Sequence, residues 1–273
     1  MPEHGHSPLT HVVDSPRMEF PAFSRVYQGG WELEIERLTG LTKFMFCELL
    51  AAILVAVMAI LLARHVRREH VTRGRFMNMF EAMALFVRDQ VARPAIGGHA
   101  ADKFLPFLWT LFFFILFNNL LGLIPGFASA TGNINVTFVL ALMTLGTVIL
   151  AGMRELGAVG FWIGIVPHLD VPFWLKPPLW GLMFVIEIAG LFIRHIVLAV
   201  RLFANMFAGH IVLAVILGFI IEVMNTAMFY PVTVASIIGV VLLSLLELFV
   251  AFLQAYIFTF LSALFIGSAV HPH

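Results

Sequence analysis

Residues 180–224 read WGLMFVIEIAGLFIRHIVLAVRLFANMFAGHIVLAVILGFIIEVM, and this stretch decides the fold. As one helix it would be about 65 Å long, roughly twice the thickness of the hydrocarbon core of a bilayer. No proline falls between Pro178 and Pro231, so a sharp break has no obvious cause. The sequence therefore predicts one long, steeply tilted helix that pairs, as an antiparallel hairpin, with the similarly long apolar segment 230–266.

The composition of the whole chain agrees with a membrane location. Of its 273 residues, 61% are hydrophobic and only 12% are charged, whereas soluble domains carry about 25% charged residues. The formal net charge is zero, which gives no basic surface for nucleic acid. The single cysteine, Cys47, excludes an internal disulfide and a cysteine-based metal cluster. We therefore expect no metal site, no cofactor and no nucleic-acid partner.

These features predict an all-α integral membrane protein with five membrane-embedded helices and one amphipathic surface helix. The predicted spans are residues 44–64, 104–124, 134–153, 180–224 and 230–266, within a single membrane domain at residues 44–266. A polar extension at residues 1–43 precedes this domain, and a tail at residues 267–273 follows it.

Residues 76–95 mix apolar with charged side chains and are predicted to form the surface helix, with a sixth span as the rival interpretation. We expect Pro94 and Gly97–Gly98 to end this helix, the proline because it cannot continue the hydrogen-bond ladder.

The distribution of arginine predicts the orientation of the chain. Five arginines lie between Arg64 and Arg75, directly after the first span, and the positive-inside rule places such a segment in the cytoplasm. Counting spans onward puts the N-terminus outside and the C-terminus in the cytoplasm.

Ionisable residues within the long tract point to function, because each costs about 2.5–3.5 kcal/mol on insertion scales. Glu187, Arg194 and Arg201 stand seven residues apart, nearly two helical turns, and therefore share one stripe. Asn205 extends this stripe, whereas His210 is nine residues from Arg201 and falls near the opposite face. This spacing indicates two polar routes with Arg201 between them.

The last apolar segment contributes a second set of polar residues. Glu247 and Gln254 are again seven residues apart and share a face, and an antiparallel partner could bring Glu247 near His210. Glutamate and histidine can exchange protons near neutral pH once their environment moves their pKa values. Arginine stays protonated, so Arg201 suits a fixed electrostatic barrier.

Each of these residues also has a purely structural interpretation. Arg194 could simply neutralise Glu187, and His210 could be a hydrogen-bonded packing residue, as could Glu247. The structural interpretation is weakest for Arg201, which has no acidic residue one turn away on its own helix.

Three motifs resemble those of subunit a of the F-type ATP synthases, in the order found in that family. They are RLFANMFAGH at residues 201–210, NLLGLIPG at residues 119–126 followed by NINVT at residues 133–137, and Glu247 with QAYIF at residues 254–258. The resemblance covers roughly residues 44–266, and the combination of motifs is highly specific.

The resemblance implies a non-catalytic, proton-conducting stator subunit, with ATP synthesis performed elsewhere in the complex. Its implied partners are the ring of c subunits, b-type stator subunits and the lipid bilayer, and its implied location is the inner (plasma) membrane of a bacterium. Consistently, the chain contains no GxxxxGK[ST] nucleotide motif. The main alternative is a proton-coupled secondary transporter, which predicts internal repeats that the sequence does not show.

The resemblance also implies a role for each polar residue. Arg201 would face the membrane carboxylate of the c ring. His210 and Glu247 would line the outer half-channel, with Asn205 and Gln254 near it. Glu187 and Arg194 would lie at the cytoplasmic half-channel.

The chain departs from the family pattern at one position. His195 stands where the family often has proline, so a further ionisable group follows Arg194. It could tune the inner route, or it could face lipid headgroups or a neighbouring subunit.

Overall fold

The computed structural model describes residues 17–18, 33–34, 43–68, 74–124, 129–166, 174–224 and 228–270. Most of the predicted extension at residues 1–43 lies outside the described residues. Its described part is a pair of two-residue antiparallel strands, β1 (Arg17–Met18) and β2 (Leu33–Glu34).

The rest of the described chain is helical. The α-helices are α1 (Lys43–Arg68), α2 (Arg75–Phe86), α3 (Arg93–Ile96), α4 (Gly98–Gly122), α5 (Ile134–Leu156), α6 (Ala158–Gly164), α7 (Lys176–Glu222) and α8 (Phe229–Val270). Five of them (α1, α4, α5, α7 and α8) are long and apolar enough to cross a membrane. The predicted all-α architecture with five such helices is confirmed. The short helix α6 was not predicted.

Helices α7 and α8 are the longest elements, with 47 and 42 residues. The predicted absence of a break in the first long tract is confirmed, and α7 is about 70 Å long at about 1.5 Å per residue. Helix α8 continues to Val270, four residues beyond the predicted end of the span at residue 266, so the predicted start of the tail at residue 267 is too early. Ala269 and Val270 are only 8% and 7% exposed, because they pack against the protein instead of entering solvent.

The predicted surface helix is present, but Pro94 does not end it. After α2 the chain continues as a π-helical segment, Val87–Ala92, in which the register of the hydrogen bonds changes. Pro94 then falls in the first turn of α3, where a missing N–H is tolerated. The helical path ends at Gly97, so the predicted end at Gly97–Gly98 is confirmed; the φ of +95° at Gly97 is accessible to glycine and strained for other residues.

The described helices form two compact units along the chain. The first unit comprises residues 1–58, 114–134 and 202–255, and the second comprises residues 59–113, 135–201 and 256–273. Each unit therefore contains one part of α7 and one part of α8.

Polar contacts hold the surface helix and its neighbours together in the second unit. The indole N–H of Trp109 on α4 donates to the carbonyl of Ala84 on α2 at 2.9 Å. On the same side of the unit, Lys103 Nζ on α4 lies 3.1 Å from Glu155 Oε1 on α5. These contacts attach the amphipathic segment and α5 to a single span, α4.

The end of α8 approaches the surface segment too closely for a side chain. A Cβ at Gly267 would overlap the backbone carbonyl of Ala95, which cannot move aside as a flexible side chain could. We expect Gly267→Ala to lower the free energy of unfolding by about 1–3 kcal/mol through overpacking. Thermal unfolding of the detergent-solubilised protein, followed by circular dichroism, measures this loss.

Gly146→Ala is the matched control, since no described atom lies within 4 Å of a Cβ at that helical position. Both variants gain the same helix propensity from alanine, so the difference between them isolates the overlap. Equal unfolding temperatures for the two variants would contradict this packing.

Candidate functional site

A small polar cavity lies within the first unit, between α7 and α8, and we call it the His210 cavity. It is lined by Leu123, Asn205, Met206, His210 and Glu247. Its volume of about 10 Å³ is room for about one water molecule. The structure thus brings together three of the polar residues that the sequence singled out.

The carboxyl group of Glu247 is only partly satisfied at this cavity. Its Oε1 is buried and has no hydrogen-bond partner among the residues that the structure describes. A buried acceptor left without a partner costs about 1–3 kcal/mol, so such a group normally serves a water molecule or a function.

Gly209 creates the space that this carboxyl group occupies. A Cβ at Gly209 would collide with Oε1 of Glu247 and lie 3.0 Å from its Cδ. Any other residue at this position would displace the acid from the wall of α7. Gly209 belongs to a predicted motif, but its specific role as a gap was not predicted from the sequence.

A buried hydrogen-bond network fixes α8 one turn beyond Glu247. The Thr131 hydroxyl donates to Asn119 Oδ1 at 2.8 Å, and Asn119 Nδ2 donates to the carbonyl of Ala251 at 3.4 Å. Because the Thr131 proton is used in this way, Ser129 donates to Thr131 at 2.7 Å. The segment before α5 and the end of α4 are therefore both tied to α8.

Gln254 belongs to the same unit but does not line the His210 cavity. Its side chain is 4% exposed, and its Nε2 has no hydrogen-bond partner within the described ranges. The sequence placed Gln254 on the same face of α8 as Glu247, and its unsatisfied amide is a second polar group buried along that helix.

A larger cavity lies within the second unit, and we call it the Glu187 cavity. Its volume is about 290 Å³, enough for several water molecules. The lining residues come from α5, α6, α7, α8 and the residues after α6: Val148, Leu156, Phe161, Gly164, Ile165, Glu187, Leu191, Arg194, Phe265, Ser268 and Ala269.

Glu187 and Arg194 face this cavity without pairing. Glu187 is half-buried and Arg194 is exposed, and the described part of the chain contains no ion pair between them. The interpretation of Arg194 as a mere neutralising partner of Glu187 therefore finds no support in this geometry. Both groups remain available to water or to a partner.

Arg201 lines neither cavity. Its side chain is exposed on α7 of the second unit, next to the buried Ala199 and Leu202. Within the described residues it makes neither an ion pair nor a hydrogen bond. A guanidinium in an apolar helix is costly, and this one has no anionic partner within the described ranges.

Several residues of the second cavity were missed by sequence reasoning. Ser268 lies beyond the predicted end of the last span, and Phe161 lies on the unpredicted helix α6. Phe161 packs in the space that the missing side chain of Gly152 leaves. In the sequence, Gly152 was the residue that could have indicated a closely packed neighbour at this point of α5. His195 is 2% exposed, so the alternative in which it faces lipid headgroups is wrong.

An all-α chain with five apolar helices, two polar cavities and an unpaired arginine belongs to the class of membrane proteins that carry ionisable groups for function. The family model "ATP synthase A chain" matches residues 45–267. The chain belongs to this family and is an integral membrane protein.

Individual relatives agree with this assignment. The chain is 40% identical to ATP synthase subunit a of Myxococcus xanthus (strain DK1622), over 98% of this chain and 85% of that protein. It is 41% identical to ATP synthase subunit a of Chloroherpeton thalassium, over 96% and 76% of the two chains. It is 42% identical to ATP synthase subunit a 2 of Chlorobaculum tepidum, over 96% and 72%.

Proposed function

We propose that this chain is the proton-conducting stator subunit of an F-type ATP synthase, with two offset half-channels separated by Arg201. The observation that carries the proposal is the exposed, unpaired guanidinium of Arg201, on a helix that lines a polar cavity in each unit. Family membership favours this function over a secondary transporter.

The His210 cavity supplies the half-channel that opens to the outside. Glu247 has a buried carboxylate oxygen with no hydrogen-bond partner among the described residues, and His210 and Asn205 line the same space for about one water molecule. Carboxyl and imidazole groups both bind and release protons within the physiological range once their environments adjust their pKa values. A proton therefore passes from Glu247 and His210 to a carboxylate on the c ring, near Gln254.

The Glu187 cavity supplies the half-channel that opens to the cytoplasm. It has room for several water molecules, and Glu187 and Arg194 line it without an ion pair between them in the described part of the chain. The ring carries each neutral carboxylic acid around through lipid and delivers its proton here. In this scheme the chain is not an enzyme, and nucleotide chemistry takes place in other subunits.

Arg201 prevents the two half-channels from exchanging protons directly. Its permanent charge attracts the ionised ring carboxylate and repels protons that would pass without turning the ring. The driving energy is the membrane potential, about 2.3 kcal/mol per charge per 100 mV, together with any pH difference. The chain lies in the bacterial inner membrane, with its N-terminus outside and its C-terminus in the cytoplasm. The b-type subunits complete the stator.

Substitution of Gly209 tests the use of the His210 cavity. Gly209→Val would displace the Glu247 carboxylate, and misplacement of a reacting group by about 1 Å can cost about 100-fold in rate. We expect ATP-driven proton pumping to fall at least about tenfold in vesicles that contain the complete ATP synthase. Quenching of a pH-sensitive dye measures the rate.

Gly218→Val is the matched control on the same helix, because no described atom lies within 4 Å of a Cβ there. It should pump at nearly the wild-type rate, and both variants should be present in the complex at wild-type amounts. Equal pumping by the Gly209 and Gly218 variants would argue against a half-channel at this cavity.

A further inference from the structure

His195 is a deeply buried ionisable side chain that the mechanism above leaves unused. It follows Arg194 on α7, is 2% exposed, and packs its ring against Phe265 of α8 with a centroid distance of 5.1 Å. Both residues belong to the second unit. A buried histidine needs a partner for each ring nitrogen, so the partners of this one decide its role.

The hydrogen bond of His195 fixes its tautomer. Nδ1 lies 2.8 Å from the carbonyl oxygen of Leu191, one turn earlier on the helix. A carbonyl can only accept, so Nδ1 carries a proton and donates it. In the neutral ring Nε2 is then a bare acceptor, and it is buried with no hydrogen-bond partner in the described part of the chain.

The two contacts of the ring belong to the wall of the Glu187 cavity. Leu191, whose backbone carbonyl accepts the hydrogen bond from Nδ1, and Phe265, which packs on the ring, both line this cavity, although His195 does not. The ring thus lies directly behind the wall. Access of cavity water to Nε2 would therefore require a rotamer change of Leu191 or Phe265, which side chains can make without disturbing a helix.

The charged groups around this position come from one helix. Glu187 and Arg194 on α7 are the ionisable residues that line the cavity, and its described lining from α5, α6 and α8 is apolar apart from Ser268. Arginine does not release its proton, so Glu187 is the other group here that can exchange one. Histidine is suited to such exchange between about pH 5 and 8.

We propose that His195 is a proton relay of the cytoplasmic half-channel, accepting and returning protons at Nε2 through water of the Glu187 cavity. A hydronium ion in the cavity transfers its proton to Nε2, which leaves water and a doubly protonated imidazolium. The same proton then returns from Nε2 to water on the side of Glu187, while Nδ1 keeps its own proton and its hydrogen bond to the Leu191 carbonyl. This inference rests on the proposed function of the cavity.

The test replaces the base while keeping the hydrogen bond. In His195→Asn, the side-chain NH₂ can still donate to the Leu191 carbonyl, but no group titrates. His195→Phe keeps the aromatic packing on Phe265 instead. ATP-driven proton pumping is measured in vesicles that contain the complete ATP synthase with its ATP-hydrolysing sector outward, at external pH values from about 5 to 8.5.

The readout is the ratio of the variant rate to the wild-type rate at each pH, which cancels the pH dependence of ATP hydrolysis. We expect pumping to fall at least about threefold, less than the effect of losing a direct acid–base group because water retains a parallel path. We also expect the ratio to change with pH through an inflection between about pH 5 and 8.

A ratio that is independent of pH, whether near one or below it, would overturn the relay, because a packing role has no titration. Either assembled variant decides the matter. If neither variant assembles, the wild-type profile decides instead, and the absence of an inflection between about pH 5 and 8 counts against the relay.

Arg201→Ala vesicles, measured in parallel, separate this inference from the proposed function. If the Arg201 variant pumps normally, the proposed function fails. If it does not pump and the His195 ratio is flat, only the relay fails.

Discussion

Arg201→Ala should abolish ATP-driven proton pumping, to below about one hundredth of the wild-type rate in vesicles containing the complete ATP synthase. Alanine removes the charge that attracts the ionised ring carboxylate, so the carboxylate is no longer held at the position between the two half-channels. A loss of about 3 kcal/mol of stabilisation already corresponds to about 100-fold in rate. Dye quenching after addition of ATP measures the effect.

Two further variants make this result specific. Arg201→Lys keeps the charge but loses the planar guanidinium fork that matches a carboxylate, so we expect it to pump poorly. Val200→Ala alters the exposed neighbour of Arg201 on the same helix and should leave pumping unchanged. Coupled pumping at the wild-type rate by Arg201→Ala would rule out the proposed mechanism.

Glu247→Gln should reduce pumping about 100-fold or more. The amide has nearly the shape of the acid but cannot exchange a proton, and loss of a positioned acid–base group typically costs 10²–10⁴ in rate. The variant keeps the space beside Gly209 filled, so packing of α7 against α8 should be preserved. The same vesicles and dye measure the rate, with assembly checked by the amount of the chain in the purified complex.

Glu222→Gln is the control for Glu247, because Glu222 is an exposed glutamate at the end of α7 and lines neither cavity. Glu247→Asp keeps an acid on a shorter side chain and should retain part of the activity. If Glu247→Gln and Glu222→Gln pump equally well, Glu247 has no part in proton transfer.

The long helices could be predicted from the sequence because their signal is strong and local. A predominantly apolar tract of 45 residues without proline leaves few alternatives to α7. Similar reasoning applies to α8, whose proline, Pro231, lies in its first turn. The end of α8 at Val270 depends on packing of its last residues in the fold, and neighbour contacts cannot be read from hydropathy. The effect of Pro94 was also mispredicted. The proline follows a π-helical segment and lies in the first turn of α3, where its missing N–H is tolerated.

The candidate site was predictable in part. The spacing of Glu187 and Arg194 placed them on one face of α7, and both line one cavity. His210 and Glu247 lie on different helices, so their grouping depends on how α7 and α8 pair, which the spacing along each helix does not determine. The space made by Gly209 and the burial of His195 depend on which side chains meet across the helix interface, so neither could be derived from a single sequence.

The unpaired guanidinium of Arg201 has a consequence for how the protein is made. A chain newly inserted into the bilayer carries this charge without an anion among the described residues, and insertion scales set the cost of such a residue at about 2.5–3.5 kcal/mol. Docking of a carboxylate-bearing ring would lower that cost. If the ring is the partner, as proposed, the subunit should be more stable in the assembled complex than alone.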